Sequence, residues 1–421
     1  MRSNRFRPLG AVLLAVAVAG ATTTAPVTAG TPDDSAAVIL EWNQHTLGAI
    51  ATAEAPPAHA SLYLAMVHGA VYDAVASIIG GYQPYLGTVD ADATASPVAA
   101  AAVAAHDVLA ATFPDQAAAL GALLEASLIA VPGGPEKDAG VAVGMAAAQA
   151  MLAAREGDGR GVPNPITPGT QPGEWRPTPP DLAEFPGSWI AKVTPFLAES
   201  AAHYRTEGPR SLESAEYALE YDEVRTLGSK EGSTRDEQQG AMMAFWIGPV
   251  PQWSAVERAL ATEKGLDIGE AARLFALANL AAADASIGCF DDKYHWMFWR
   301  PVTAIHEAAS DGNPATEADP AWEPVAPAPP YPDHPSGFNC LAGAHVGALQ
   351  AFFGTDEMAF RIENPDITPP REYASFTQGL DESIELRIYQ GLHFRSAEVQ
   401  GAQLGLKAAA LAAERLPPPA G

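Results

Sequence analysis

Apolar positions recur at helical spacing through most of the chain. Leu62, Ala65, Met66, Gly69, Ala70 and Asp73 fall on a three-to-four-residue ladder, the period of a helix with a buried face. That ladder lies in an Ala-rich zone from about 35 to 155. From about 156 to 210 the period stops. Gly-Asp-Gly-Arg-Gly-Val-Pro-Asn-Pro and Pro-Gly-Glu-Trp-Arg-Pro-Thr-Pro-Pro punctuate an irregular crossing, long enough to be functional rather than a mere connector. Helical patterning returns from about 211 to 415, with a Pro-rich interruption at 311–335. Ser211, Glu213 and Ser214 read as a helix start, and residues 265–268 as a break between two helices. Alternating strand patterns are scarce, and there is no fixed-period repeat, Gly-rich phosphate loop or dinucleotide fingerprint. The pattern predicts an all-α fold, two packed helical bundles in one large domain spanning 30–421.

The first residues have a different character. Arg2, Arg5 and Arg7 precede the apolar run Leu9 to Ala21, and small residues follow from Ala25 to Ala29. This layout predicts a secretory signal peptide over 1–29, since the run is shorter than the ~20 residues a membrane span needs. The expected location is secreted or periplasmic. Later apolar stretches are broken by His106 and by Gly and Gln, so no stable membrane insertion is expected after cleavage.

Composition narrows the function classes. With 48% of its 421 residues hydrophobic, the chain can bury a sizeable core, which excludes a disordered protein. Two cysteines exclude a disulfide-dense miniprotein and a Cys-rich zinc module. A formal charge of −26 excludes a general basic surface for nucleic acid or anionic lipid. Any anion must be held by a local cluster of scarce cations.

Three segments supply that cluster. In Lys293-Tyr-His-Trp-Met-Phe-Trp-Arg300-Pro301, seven residues on a continuous helix would put Lys293 and Arg300 on one face, with Pro301 marking the helix end. His334-Pro-Ser336-Gly337-Phe338-Asn339 opens an apolar run, as a helix N-terminus whose free N–H groups cradle an oxyanion. In Arg387-Ile-Tyr-Gln-Gly391-Leu-His393, six residues on one helix would separate Arg387 and His393 by roughly 120°, so Gly391 is the break that turns both to one site. Lysine, two guanidiniums, a hydroxyl, backbone N–H groups and one imidazole are what phosphate or vanadate asks for. Each piece alone is ordinary; the conjunction is not.

The triple pattern resembles the vanadium-dependent haloperoxidases and their relatives, the type 2 phosphatidic acid phosphatases and bacterial acid phosphatases. Their motifs read Lys-(six)-Arg-Pro, Pro-Ser-Gly-His and Arg-(five)-His. Upstream stretches resemble secreted bacterial haloperoxidase-like proteins: Leu64-Ala-Met-Val-His-Gly-Ala-Val-Tyr-Asp-Ala74, Gly173-Glu-Trp-Arg-Pro-Thr178 and Trp299-Arg-Pro-Val-Thr-Ala-Ile305. The resemblance implies a helical double bundle. It implies that Lys293, Arg300, Ser336, Gly337 and Arg387 hold the oxygens of vanadate, with phosphate as isostere, and that His393 ligates vanadium or forms a phosphohistidine. Small anions, hydrogen peroxide and a small organic substrate are the implied partners, with Lys293 polarising the bound peroxide. A phosphomonoesterase with His393 as nucleophile and a non-catalytic anion-binding descendant are the alternatives.

The pattern departs at Phe338, where the family has its acid–base histidine; general acid–base help is typically worth 10²–10⁴-fold. His334 is the first substitute, His295 the second and His345 the third, the last read as ordinary packing. A second departure is Ala397, where phosphatase relatives carry the Asp that orients the histidine; Glu398 or a backbone carbonyl would have to serve. Cys289, four residues before Lys293, and Cys340, four after Ser336, are predicted to form a disulfide in an exported protein. His68 with Asp73 reads as internal hydrogen bonding, Asp291, Asp292 and His295 as too few ligands for a metal, and the Trp296–Trp299 stretch as core.

Overall fold

The computed structural model describes residues 36–419, so the predicted signal segment 1–29 lies outside the described residues. The first bundle is built from α1 (Ala37–Thr52), α2 (Pro57–Ile79), α3 (Pro97–Thr112), α4 (Ala117–Ile129) and α5 (Pro135–Ala154). The irregular crossing follows, with no α-helix before α6 (Ala215–Leu227). Then come α7 (Glu237–Phe245), α8 (Pro249–Lys264), α9 (Ile268–Trp296), α10 (Pro301–Glu307), α11 (Gly337–Phe353), α12 (Phe376–Tyr389) and α13 (Arg395–Arg415). The all-α prediction holds. Among the described residues a single hairpin, β1 (Phe360–Asn364) with β2 (Ile367–Tyr373), is the addition. Its first strand alternates buried Phe360 and Ile362 with exposed Arg361 and Glu363, a run too short to stand out in the sequence.

The helix signals act as read. Ser214 caps α6 by accepting from the Tyr217 N–H at 3.0 Å. Gly265 ends α8 in the left-handed region, φ 62°, and Asp267 opens α9 in a reciprocal capping box with Glu270. The central element is α9. It packs on α2 of the first bundle and on α11 and α13 of the second, so one continuous core runs through both. One sequence reading needs correction: α2 and α9 are each long and apolar enough to cross a membrane by length and composition. Both are enclosed by other helices, and a helix that is apolar all round is a core helix when protein surrounds it.

Small residues set the spacing in the second bundle. Gly405 of α13 sits against the Cys340 carbonyl of α11, and a Cβ on Gly401 would come 2.7 Å from the Ser336 carbonyl oxygen. The Ser336 N–H donates to the Ala397 carbonyl at 2.9 Å. This close approach fixes the start of α11 against the start of α13, and therefore positions two of the three motifs. Overpacking at such a contact costs about 1–3 kcal/mol. Gly401→Ala should accordingly lower the thermal midpoint by about 1–4 °C in a circular-dichroism melt, and an unchanged midpoint would show that the contact relaxes freely.

Candidate oxyanion site

Lys293 lies in the last turn of α9, fully buried. The helix does not continue to Arg300. Met297 turns left-handed (φ 47°) after Trp296, and Arg300 is extended at φ −83°, ψ 155°. Pro301 therefore begins α10 rather than ending the helix of Lys293, and the two cations meet from consecutive elements instead of one face. Segment 173–175 braces this turn: the Trp175 N–H donates to the Met297 carbonyl (2.7 Å) and the Trp299 N–H to that of Gly173 (2.9 Å).

Two buried cations without a carboxylate on each would be costly in an apolar bundle. Backbone carbonyls meet much of that cost. Lys293 Nζ donates to the carbonyls of Pro332 (2.8 Å), Asp333 (2.9 Å) and Pro335. Arg300 Nε donates to Tyr331 O at 2.8 Å and Nη1 to Leu392 O at 3.0 Å. Residues 331–335 thus bend around both charges. Arg300 Nη1 also lies 3.1 Å from His393 Nε2.

The third motif divides as Gly391 predicts. Arg387 sits in the last turn of α12, Gly391 is left-handed at φ 77°, and His393 follows before α13 begins. Gly391 also lies against the backbone of Gly228, where a Cβ on either residue would collide. The neighbours of His393 determine its tautomer. Nε2 accepts from Arg300, which places the ring proton on Nδ1, 2.7 Å from Asp333 Oδ1. Asp333 is the acidic side chain against His393 that the sequence reading missed. The local signal was an acid directly preceding His334-Pro335-Ser336. Glu398, the expected substitute, lies on α13 with Oε1 4.0 Å from the same nitrogen, and its other oxygen accepts from Asn339.

Ser336 is the residue before α11, whose N-terminus has no side-chain cap. Buried and without a hydrogen-bond partner in this region are the donors Arg300 Nη2, Arg387 Nε and Ser336 Oγ, the last beside the Glu398 carboxyl, and also the Asp333 carboxyl oxygens, Glu398 Oε1 and His334 Nδ1. Donors left open at a buried point where Lys293, Gly337 and His393 also converge fit a tetrahedral oxyanion.

The remaining sequence candidates separate. Phe338 is partly exposed, edge-on to Trp246 with ring centroids 6.0 Å apart, and Arg387 Cζ lies 5.3 Å from its ring centre. His334 is buried and faces Thr206, whose Oγ1 is 3.0 Å from its Nε2 and donates to Asp292. That holds His334 on the wall of the crossing segment. A cavity of about 250 Å³ opens over Gly337, Phe338 and Arg387, and among the described residues no histidine lines it. His295 is exposed beside Trp296, and His345 pairs with Glu257 at 2.6 Å in the core. His68 bonds Asn43, Asp73 accepts from the Tyr85 and Leu86 N–H groups, and Arg205 neutralises Asp291 and Asp292. No group of three metal-ligating side chains occurs among the described residues. Cys289 and Cys340 are neighbours, as expected, but correct the predicted bridge: both are free buried thiols. Cys289 Sγ turns instead toward the Pro335 carbonyl, 3.8 Å away.

Burial dominates the electrostatics. It pushes Lys293 down to about 8, reinforced by Arg300, and holds His393 well below its ordinary value, reinforced by Arg300, Lys293 and Arg387. It pushes Asp333 up to about 8 against the pull of Arg300, and Glu398 up to about 7 against that of Arg387. As pH rises through this range Lys293 loses its positive charge while Asp333 and Glu398 gain negative charge, so every change opposes an anion. Sulfate, a dianion throughout, should bind progressively more weakly from pH 6.5 to 9.5 by calorimetry; a flat profile would contradict these assignments.

Comparison with known proteins follows the same lines. A family profile described as the VCPO second helical-bundle domain matches residues 273–417. The vanadium chloroperoxidase of Curvularia inaequalis is 26% identical over 236 residues, which is 48% of this chain and 37% of that protein. The matched stretch is thus little more than a third of that relative's length. The crystal structure of the first bacterial vanadium-dependent iodoperoxidase superposes with a TM-score of 0.79 at 25% identity, over 93% of this chain and 99% of that one. A holo-type bacterial vanadium-dependent chloroperoxidase gives 0.65 at 19% identity, over 86% and 92%, a likeness of fold.

Proposed function

We propose that this chain, which belongs to the vanadium haloperoxidase superfamily, is a haloperoxidase-like enzyme that binds vanadate and oxidises halide, or an organic sulfide, with hydrogen peroxide. The observation that carries the reading is the convergence of Lys293, Arg300, Arg387, Ser336 and His393 with buried donors left open. Arg300 Nη2, Arg387 Nε, Ser336 Oγ and the Gly337 N–H would hold the oxygens, and His393 Nε2 would be the nitrogen that holds the central atom. Bound vanadate supplies an electrophilic centre that activates peroxide toward the halide. The chain's own part is positioning: the ring proton on Nδ1 faces Asp333, the Nε2 lone pair that now accepts from Arg300 Nη1 would pass to the bound anion, and residues 331–335 hold the cations in place. The amino-terminal pattern supports a secreted or periplasmic location.

Phe338 sets the expected rate. With a phenyl ring in the acid–base position and His334 Nε2 engaged by Thr206, only the unpartnered His334 Nδ1 or solvent is left to move a proton, and turnover should be slow. The same absence favours one rival, an anion-binding descendant without chemistry. Protein loaded with orthovanadate should halogenate monochlorodimedone with iodide or bromide and peroxide, and His393→Ala should abolish this. No turnover with any halide would overturn the reading. Phosphate-ester hydrolysis inhibited by vanadate would select a phosphomonoesterase, and tight anion binding with neither activity the descendant. Phe338→His should raise turnover by about 10²; a fall would mean that Phe338 serves a different mechanism.

A further inference from the structure

Beside the oxyanion site lies a pair of thiols that the anion chemistry does not use. Cys289 sits one turn before Lys293 on α9, and Cys340 one turn after Ser336 on α11. Both are free and buried, and the Cys340 S–H donates to the Cys289 sulfur. A thiol enclosed by apolar side chains alone is inert. Two features set Cys289 apart from that case. It lines the cavity of about 250 Å³ that opens over the site, whereas Cys340 does not. It also stands beside the cations: a Cβ placed on Gly337 would lie 3.8 Å from Cys289 Sγ and 4.0 Å from Lys293 Cε. Burial raises the Cys289 thiol, but the Cys340 S–H and the Lys293 charge outweigh it and leave Cys289 below its ordinary value. Burial, and then the Cys289 sulfur, push Cys340 well above. Thiolate character therefore falls to the sulfur at the cavity, and its partner keeps the proton.

Joining the two sulfurs would act on both halves of the site. The Cys340 N–H donates to the Ser336 carbonyl at 3.0 Å, and Gly405 of α13 lies against the Cys340 carbonyl. A shift of α11 at Cys340 thus carries its first turn with it, and with that turn the Gly337 N–H. On α9 the following turn carries Lys293, held by the carbonyls of Pro332, Asp333 and Pro335. The chain between the two cysteines includes Arg300 and the whole bend at 331–335.

We propose that Cys289 and Cys340 are a dithiol pair whose oxidation by hydrogen peroxide closes the oxyanion site. Cys289 Sγ attacks peroxide: the O–O bond breaks, an S–O bond forms and water leaves. Cys340 Sγ then attacks that sulfenic sulfur: the S–O bond breaks, an S–S bond forms and a second water leaves. The balance is 2 RSH + H₂O₂ → RSSR + 2 H₂O, with two electrons passing from the sulfurs to the peroxide oxygens. The oxidation stands on the thiols and the cavity, while its effect on anion binding rests on the oxyanion reading. An anion seated on Gly337 and Lys293 covers the approach to Cys289 and protects the pair.

Reduced wild-type protein, treated with a small excess of hydrogen peroxide, then denatured, alkylated and weighed by mass spectrometry, tests the first claim. Both alkylation sites and the mass of two hydrogens should be lost, and reduction after denaturation should restore them. Two alkylated thiols after peroxide, or a sulfinic acid in place of the bridge, overturns the proposal and needs no variant to fold. Cys340→Ala should stop the reaction at a sulfenic acid on Cys289 that dimedone traps, and Cys289→Ala should leave Cys340 reduced; oxidation of Cys340 in that variant overturns the assigned order. Calorimetry tests the second claim. The bridged protein should bind phosphate about tenfold more weakly than the reduced protein, and saturating phosphate should slow the bridging severalfold. Equal affinity in the two states overturns the closure of the site. Failure of the reduced protein to bind phosphate defeats the oxyanion reading instead, and the mass measurement still decides the thiol chemistry.

Discussion

The burial of two positive charges inside an Ala-rich helical core is the constraint that organises this molecule. Neither Lys293 nor Arg300 has any exposed surface. What makes that tolerable is the bend at 331–335, whose carbonyl oxygens turn inward to accept from both. A helix could not provide those acceptors, because its carbonyls are already used. The Pro-rich interruption is therefore the means by which the core accommodates charge, not a break in it.

Once the cations are fixed, the rest of the site follows. The same bend places Asp333 against His393 and delivers Ser336 to the start of α11. The small residues of α13 let that start approach closely. Arg387 and His393 come from either side of Gly391, and the second half of the site is thereby tied to the first through Arg300. Packing and charge are met together only when all three motifs are assembled.

Much of this was legible along the chain because the informative residues are punctuation. Gly391, Pro301 and the Pro-Ser-Gly run mark breaks, and breaks are local. What stayed hidden was non-local. The sequence put Lys293 and Arg300 on one helix because spacing alone cannot register a left-handed residue at Met297. It looked for the partner of His393 downstream, at Glu398, when the partner arrives from sixty residues upstream as Asp333. His334 is adjacent to the motif in sequence yet turned to Thr206, since the direction of a side chain in an irregular loop is decided by what the loop packs on. The predicted disulfide failed in a similar way: proximity was right, but the environment of the two thiols was not something spacing reveals.

The dual membership of α9 has a further consequence. Because this one rod is the interior of both bundles, neither half retains a closed interior if the other melts. The two halves are thus bound to a common fate, and denaturation should be a single all-or-none event despite the size of the chain. Lys293 rides at the carboxyl end of that rod, so the candidate oxyanion site reports on the integrity of the entire molecule rather than of its own half.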